Sequence, residues 1–497
     1  MLHSVTNSLC VVILALAIAM PVGILLATLL LRSNIWGRKI LWIALGSQVA
    51  LPLYVFAGGW SAGFGFQGWI TSTGIRLTDF FGNSEAGSRG ALFAVATVHA
   101  FSAVPWVAFF YSIGLRWVRR SEEEQAILDG GATAVFRFLL ARNRLWTAIA
   151  AMACIVPIMT EMVVSNLFQL PTIAELIYLD ATLGAIRPQT YLSGFFLSTL
   201  PLLIVGIILF WRLPSWEAVN ARESHFVAQP IDLGGWRPLW SIVSCGLVLL
   251  LVGLPLFSLV AKAGWTVVTE DGVTHYGWTF SRLVVTARES FALRSSEFYW
   301  SFLLGIVSTV VALAIAVSVF ALVPRRVRPV FSLLVIAMLA VPGPLVGLSI
   351  IWLLNRAEPA WLGYLYDYTI TAPILAQQFR MLPYAWFLTC ATMASVNRRS
   401  WELAQLDGLS PWQKWTQILF PQTGYRWLSA VLLLIVLSIG ELSCSILVLP
   451  PAVTTVSMKL FEFLHFGTRH QDSGLCLVLM LLGWGVSFVF WKTLTDR

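Results

Sequence analysis

The chain has 497 residues, of which 58% are hydrophobic and only 11% are charged, and its formal net charge is +8. A soluble protein carries about 25% charged residues, so this composition excludes a soluble domain and predicts an all-α polytopic membrane protein. The excess of Lys and Arg could indicate nucleic-acid binding. However, these residues lie mostly in short loops between apolar segments, where the positive-inside rule explains them without nucleic acid.

Eleven apolar segments are predicted to cross the lipid bilayer as helices. In chain order they lie at about 9–31, 40–57, 91–115, 146–168, 191–211, 239–260, 298–323, 330–354, 370–396, 428–447 and 475–491. Most of the 32 Lys and Arg residues fall in the loops on one side of these spans, including 116–144 and 398–426. The charge bias predicts that the N-terminus is outside, that the C-terminus is inside and that both of these loops are cytoplasmic.

The spans divide into two similar halves. Ala15-Leu-Ala-Ile-Ala19 in the first span matches Ala312-Leu-Ala-Ile-Ala316 in the seventh. This match predicts one transmembrane domain in residues 1–212 and a second in residues 239–497. The stretch 213–238, which contains Pro and a Gly-Gly pair, is expected to be a cytoplasmic linker.

The second domain begins with an additional span, which makes the arrangement five plus six. This asymmetry is either real, or a leading span is missing from the first half; the sequence leaves both alternatives open. An outer segment follows the additional span, and its stretch 281–296 mixes Arg with apolar residues. That mixture predicts an amphipathic helix in the membrane interface, where a binding protein could land.

One polar phrase occurs in both halves. The first copy reads Glu124-Gln-Ala126-Ile-Leu128-Asp129-Gly130, and the second reads Glu402-Leu-Ala404-Gln-Leu406-Asp407-Gly408. Each copy follows one apolar span and precedes another. A repeated polar loop in a repeated membrane unit indicates a pore with two similar halves, each holding a partner in the cytoplasm.

The second copy has the residues of two short helices joined at a glycine. Residues 402–406 can form a helical turn that Gly408 ends with a positive φ. Ser410 and Pro411 are suited to the N-cap and the first position of a second helix over 412–420. Pro421 is expected to stop that helix, which would leave a rigid knob suited to a groove in a partner.

This loop resembles the EAA loop of permease subunits of binding-protein-dependent ABC importers. That pattern is Glu-Ala-Ala, three residues, Gly, nine residues and Ile-x-Leu-Pro. The second copy matches it at Glu402, Ala404, Gly408, Ile418 and Pro421, and departs at Leu403 and Phe420. The first copy matches only at Glu124, Ala126 and Gly130, so the two contacts with the partner could be unequal.

The second half continues with Ser438-Ile-Gly440-Glu441-Leu442, then Leu449-Pro450-Pro451 and Thr454-Thr455, and the first half has Glu161 and Leu170-Pro171. These residues are similar to the fused two-domain permeases of ferric-iron and thiamine importers. The resemblance implies two copies of a P-loop ATPase subunit, a periplasmic substrate-binding protein, a bacterial inner-membrane location and alternating access. The chain has no GxxxxGK[ST] motif, so ATP is expected on the separate ATPase, with no cofactor and no enzymatic activity in this chain.

Glu161 and Glu441 occupy equivalent spans of the two halves. A carboxylate in a span costs about 2.5–3.5 kcal/mol, so each is expected to face a cavity or a partner. They either line a path for a cationic cargo, or bind a neighbouring helix and position the loop that follows. Arg380 is a candidate charge partner for Glu441.

The resemblance favours ferric iron as the transported solute, with thiamine as the second candidate. Polyamines and phosphonates are further alternatives. The alternative function is a proton-coupled secondary transporter with Glu161 and Glu441 as its proton sites. His465 and His470, with Glu462 and Asp472 nearby, are read as a solvated loop rather than a metal site.

Overall fold

The computed structural model describes residues 2–65, 68–72, 89–116, 118–184, 192, 194–212, 231–270, 273–466 and 470–495. These residues form an all-α membrane protein with one small β-hairpin. Helices dominate because a chain in hydrocarbon must satisfy its main-chain hydrogen bonds within each segment.

The first half contains ten described α-helices, separated by loops and bends. They are α1 Leu2–Arg32, α2 Arg38–Gly46, α3 Leu53–Phe64, α4 Trp69–Ser72, α5 Arg89–Leu115, α6 Arg120–Arg142, α7 Arg144–Thr160, α8 Val163–Leu167, α9 Ile173–Thr182 and α10 Leu200–Arg212, the last preceded by a π turn at Phe195–Thr199.

The second half begins with a 3₁₀ turn, Gly234–Trp236, and two helices joined by a π turn at Leu249–Gly253. These helices are α11 Arg237–Val248 and α12 Leu254–Gly264. The antiparallel strands β1 Trp265–Glu270 and β2 Val273–Trp278 follow. The remaining helices are α13 Phe280–Ala292, α14 Ser295–Leu322, α15 Arg328–Ala340, α16 Gly343–Leu354, α17 Ala360–Tyr368, α18 Thr371–Ala394, α19 Arg398–Leu406, α20 Pro411–Lys414, α21 Phe420–Ile439, α22 Val456–Phe466 and α23 Gln471–Thr495, with a π turn Trp415–Leu419 before α21.

Six helical segments in the described part of the chain are long and apolar enough to cross a membrane, or up to eight if each of two bent pairs is one span. The total of eleven spans and their orientation in the membrane are not tested by the structure and stay predictions. Helix α18 coincides with the predicted span 370–396, but Gln377, Gln378 and Arg380 make it more polar than the six. The amphipathic helix predicted at 281–296 is present as α13.

Several predicted spans are broken rather than continuous. The span predicted at 40–57 is divided between α2 and α3, with Pro52 immediately before α3. The span predicted at 330–354 bends by 103° between α15 and α16, at Pro342. Proline has no N–H and restricts the residue before it, so a helix rarely continues through such a position. The spans predicted at 146–168 and 428–447 are interrupted after Thr160 and Ile439.

The chain continues from these two interruptions in the same way in each half. In the first half, Thr172 caps α9 by accepting from the Glu175 N–H, and Ser8 of α1 accepts from the Ile173 N–H at 3.0 Å. In the second half, Thr455 accepts from the Met458 N–H at the start of α22, and Ser301 of α14 accepts from the Val456 N–H at 2.8 Å. A serine from one long helix of each half, α1 or α14, therefore holds the helix that follows the break.

The predicted linker 213–238 is described only from residue 231. Its end lies against the end of α1, where Ile231 exchanges main-chain hydrogen bonds with Arg32 and Asn34 at 2.7 and 3.2 Å. The Asp232 carboxylate accepts from the Asn34 amide at 2.6 Å and from the Gly234 N–H at 3.0 Å. The pKa of Asp232 lies below its usual range, first because of the Gly234 N–H and then because of Asn34.

Candidate functional site

The second repeated loop, residues 397–420, has a rigid elbow at its centre. Gly408 has φ +69°, as the sequence predicts, and the Leu409 N–H donates to the Ala404 carbonyl at 3.1 Å. This six-to-one hydrogen bond around a left-handed glycine is a Schellman motif, which ends α19. An L-residue at Gly408 would be strained by that φ, even though the space around it is open.

A capping box begins the next helix of this loop. The Ser410 hydroxyl accepts from the Gln413 N–H at 3.3 Å, and the Gln413 side chain accepts from the Ser410 N–H at 2.8 Å. Each residue satisfies a main-chain donor of the other at the start of α20. The predicted N-cap role of Ser410 is confirmed, and the elbow is fixed on both sides of Gly408.

The prediction that Pro421 ends this helix is wrong. The chain stays helical from α20 through the π turn into α21, and Pro421 lies at the beginning of α21. In the π turn the Phe420 N–H donates to the Trp415 carbonyl, five residues earlier. The wider turn accommodates the proline ring, which would otherwise clash with the carbonyl four residues before it. Ile418 lies in this turn and is half-buried.

The second loop buries its small residue and exposes its large apolar ones. Ala404 is 2% exposed, whereas Leu406 is 83% and Trp412 is 76% exposed, and Leu403 is exposed beside them. Glu402, Asp407 and Gly408 are exposed as well. The exposed apolar group, Leu403, Leu406 and Trp412, lies on both sides of the elbow and is the kind of surface that a partner protein covers.

The first repeated loop, residues 118–143, has its bend one residue later than the sequence match suggests. Helix α6 is kinked at two glycines: Gly130 has φ −178° and Gly131 has φ +66°. The extended φ of Gly130 is open to any residue, so Gly131 is the left-handed position that corresponds to Gly408. The phrase in α6 places Glu124, Leu128 and Asp129 on the exposed surface and buries Ala126.

A buried ion pair anchors the first loop. The Arg32 guanidinium at the end of α1 lies 3.4 Å from the Glu123 carboxylate, and their side chains are 3% and 7% exposed. Arg32 also donates to the Leu115 carbonyl at the end of α5. Glu122 forms a more exposed pair with Arg142, at 3.6 Å. The loop is therefore tied directly to the two long helices α1 and α5.

Glu161 lies at the break after α7 and its carboxylate caps the short helix α8. Its oxygens accept from the N–H groups of Val163 and Val164, the second at 3.2 Å. The Ser443 hydroxyl, from the corresponding break of the other half, donates to it at 3.4 Å. Glu161 thus contacts both its own short helix and the break region of the other half.

Glu441 lies at the break after α21 but has more spare hydrogen-bonding capacity. Its Oε1 accepts from the Cys444 N–H at 2.7 Å, while its buried Oε2 has no hydrogen-bond partner. The predicted charge partner Arg380 makes no direct hydrogen bond with Glu441, but its positive charge lies near enough to attract the Glu441 carboxylate. The Arg380 guanidinium instead donates to the Leu339 and Val341 carbonyls, at 2.8 and 2.9 Å, at the bend between α15 and α16.

The histidines of the predicted outer loop are occupied by protein contacts. His465 contacts the Asn166 side chain at 2.9 Å, and His470 contacts the Lys262 carbonyl at 3.0 Å. Glu462 pairs with Lys459, and Asp472 pairs with Lys262. Within the described residues no group of three or more His, Cys, Asp or Glu could hold a metal ion.

The sequence does not predict three features of these sites, namely two contacts and one unsatisfied oxygen. Glu123 is the residue that anchors the first loop. It lies between Glu122 and Glu124, so the sequence does not indicate which of the three glutamates forms the buried ion pair. The Asn166–His465 contact joins helices far apart in sequence, and no local pattern marks it. The unpaired oxygen of Glu441 depends on side-chain geometry alone.

Comparison with known families places part of the chain. Residues 308–497 match a family described as binding-protein-dependent transport system inner membrane component. The match includes the second loop and Glu441, whereas the first loop and Glu161 lie outside it. No curated protein matches the chain. The chain is therefore a multi-pass inner-membrane protein whose second half is similar to the membrane component of a binding-protein-dependent ABC transporter.

Proposed function

We propose that this chain is the permease of an ATP-driven importer, with both transmembrane domains fused in one polypeptide. The observation that carries the proposal is the second loop. It combines a fixed elbow at Gly408 with the exposed side chains Leu403, Leu406 and Trp412, and it lies within the family match. A rigid protrusion with an apolar surface is suited to a groove in a partner protein.

The partners are two copies of a P-loop ATPase and a periplasmic substrate-binding protein. One ATPase docks on the first loop around Glu124, Ala126, Asp129 and Gly130. The other docks on the second loop around Glu402, Ala404, Asp407 and Gly408, with Ile418 and Pro421 behind it. Closure and reopening of the ATPases move the loops, and the two halves alternate between outward-facing and inward-facing states. ATP is hydrolysed on the partner subunits.

The cargo is a small cationic solute, with ferric iron as the first candidate and thiamine as the second. Glu161 and Glu441 lie at matching breaks, and Ser443 connects the two break regions. The unpaired oxygen of Glu441 is the group with capacity for a passing cation. Glu161 has both oxygens engaged, so its contribution is to hold the path in shape.

The same oxygen favours a second candidate, a proton-coupled transporter. A buried carboxylate with one unpartnered oxygen can take up a proton without breaking an existing hydrogen bond. Such a carrier would depend on Glu441 and would be nearly indifferent to the elbow at Gly408. Both candidates use Glu441, so they differ in whether uptake depends on the elbow at Gly408.

The first experiment is a mild-detergent pull-down of the tagged chain from its own host, followed by mass spectrometry. The importer proposal expects a P-loop ATPase and a substrate-binding protein in the eluate, and the solute held by that binding protein identifies the cargo. Recovery of the chain alone, under conditions that preserve a known transporter complex, would contradict the importer.

Uptake of labelled ferric iron and labelled thiamine then separates the mechanisms. Gly408→Val should abolish uptake in an ATPase-coupled permease while membrane insertion is unchanged. In a proton-coupled carrier Gly408→Val should leave uptake nearly unchanged, whereas Glu441→Gln should impair uptake in either mechanism. Gly485→Ala is the matched control, because Gly485 lies within α23 and a Cβ there meets nothing within 4 Å.

A further inference from the structure

A cavity of ≈ 290 Å³ lies between α13 and the α22–α23 region. Its α13 wall is tied through Thr286 to Ala263 at the end of α12, next to the β-hairpin, whereas the segment that leads into α11 contacts the main chain of Arg32. Neither the repeated loops nor the carboxylates of the two breaks reach it. Its walls include Arg282, Arg294, Glu289, His470 and Phe463.

Helix α13 presents its polar side to this cavity and its apolar side outward. Arg282, Thr286 and Ser290 line the cavity, whereas Phe280, Val284 and Phe291 are exposed on the outer surface. An amphipathic helix on a soluble protein would be oriented the other way. An outward apolar face is suited to the interface of the bilayer, which places the cavity at the depth of lipid headgroups.

The cavity wall is built from fixed contacts. The Thr286 hydroxyl donates to the Ala263 carbonyl at 3.1 Å, which ties α13 to the end of α12. Helix α13 also approaches Gly474 of α23 so closely that a Cβ there would lie 2.3 Å from the Ser290 hydroxyl oxygen. These contacts hold the inward side of α13 against the rest of the domain.

The side chains that line the cavity carry two guanidinium groups, of Arg282 and Arg294, and one carboxylate, of Glu289. Lys262 and Asp472, buried beside it, neutralise each other at 2.6 Å. The Arg294 guanidinium lies 5.0 Å from the centre of the Phe463 ring and 3.8 Å from Glu297, which fix its position. The Arg282 side chain, half-buried on the same wall, has no hydrogen-bond or ion-pair partner in the described part of the chain. Glu289 is the one carboxylate on the wall, and it is exposed.

We propose that this cavity binds a phosphate group, with Arg282 and Arg294 as its cationic donors. Guanidinium groups donate two parallel hydrogen bonds to phosphate oxygens, and they do so best where water is partly excluded. The volume exceeds the needs of a bare phosphate and leaves room for the rest of a small headgroup. The phosphate comes from an anionic phospholipid in the surrounding leaflet or from a free phosphate compound outside the membrane.

The test measures binding by the purified full chain in lipid nanodiscs and by native mass spectrometry. The probes are phosphatidylglycerol, phosphatidylcholine and inorganic phosphate. Arg282→Ala is compared with Arg288→Ala, because Arg288 lies on the same helix but is exposed and does not line the cavity. Arg282→Lys keeps the positive charge but loses the planar guanidinium group. It serves as a second variant in case Arg282→Ala does not fold.

If the phosphate comes from lipid, phosphatidylglycerol should bind the wild-type chain. Its affinity should fall at least tenfold in Arg282→Ala and by less in Arg282→Lys. Arg288→Ala should leave the affinity almost unchanged. If inorganic phosphate shows this pattern and phosphatidylglycerol does not, the source is a free phosphate compound. The proposal is overturned if neither probe binds, or if Arg282→Ala and Arg288→Ala weaken binding equally, since that result indicates only general surface charge.

Discussion

The two repeated loops share a sequence phrase but are held in place by different means. The first loop is anchored inward, by the buried pair of Arg32 and Glu123. The second loop is fixed within itself, by the Schellman bond at Gly408 and the capping box of Ser410 and Gln413. The apolar surface around the second elbow, Leu403, Leu406 and Trp412, has only Ile127 and Leu128 as exposed counterparts in the first phrase. A shared phrase therefore produces a bend in both halves, while the surroundings decide how firmly each bend is attached.

The largest effect is expected from removing the anchor of the first loop. Glu123→Ala leaves the Arg32 charge buried without its carboxylate, which should lower the free energy of unfolding by about 3–5 kcal/mol. The measurement is thermal or denaturant unfolding in detergent. Glu122→Ala is the matched control, because its more exposed pair with Arg142 contributes about 0–1 kcal/mol. Equal losses in the two variants would show that the anchor has no special importance.

The next effect concerns the glycine that forms each bend. Gly408→Val and Gly131→Val force a β-branched residue into the left-handed region, at about 1–2 kcal/mol per position. Both should reduce uptake at least tenfold without loss of membrane insertion. Gly130→Ala is expected to be milder, because the φ of Gly130 is extended and its Cβ needs only a small shift of Ala134, whose Cβ it would meet at 3.0 Å. If Gly130→Ala were as harmful as Gly131→Val, the register taken from the sequence phrase would be correct after all.

A smaller effect is expected at the capping box of the second loop. The described residues of the first loop show no such capping box. Ser410→Ala and Gln413→Ala should each lower stability by about 1 kcal/mol, since each leaves a main-chain donor at the helix start unsatisfied. The double variant should lose less than the sum, because the two hydrogen bonds support each other. Strict additivity in unfolding measurements would contradict this coupling.

The smallest effect is a pH dependence at the joint beside the first loop. The pKa of Asp232 lies below its unfolded value because of the Gly234 N–H and the Asn34 amide. Its contribution is therefore present above the unfolded pKa of about 4 and is lost as the pH falls through the lower folded pKa. Limited proteolysis near residues 231–237 should accelerate over this acid range. Asp232→Asn should flatten the acceleration; an unchanged profile would exclude Asp232 as its source.

The sequence predicts the architecture well where a single local rule decides the outcome. Long apolar segments become helices, Gly408 takes a positive φ, and Ser410 caps the helix that follows. These outcomes depend on main-chain sterics and on the exclusion of water, which act over a few residues. The family match over 308–497 agrees with the resemblance read from the second loop, while the finer assignment of cargo remains a proposal.

The sequence does not predict the structure where two local conformations are equally favourable, or where a residue distant in sequence determines the contact. The phrase ends at Gly130, but two adjacent glycines can each form the bend, and in the structure Gly131 has the left-handed φ. Pro421 is a helix terminator by local rules, but the π turn before it removes the clash. The partners of Arg380 and Glu123 lie on other helices, so no pattern within a window of sequence identifies them.

The helix that contains Pro421 has a mechanical consequence. Because α20, the π turn and α21 are continuous, residues 411–439 form one rod that begins at the second elbow and ends beside Glu441. At about 1.5 Å per residue the rod is roughly 40 Å long. A tilt of about 10° at the elbow would displace its far end by roughly 7 Å, which is wider than one turn of helix. The second half thus has a lever arm in which a small tilt at the elbow produces a large displacement beside the Glu441 carboxylate.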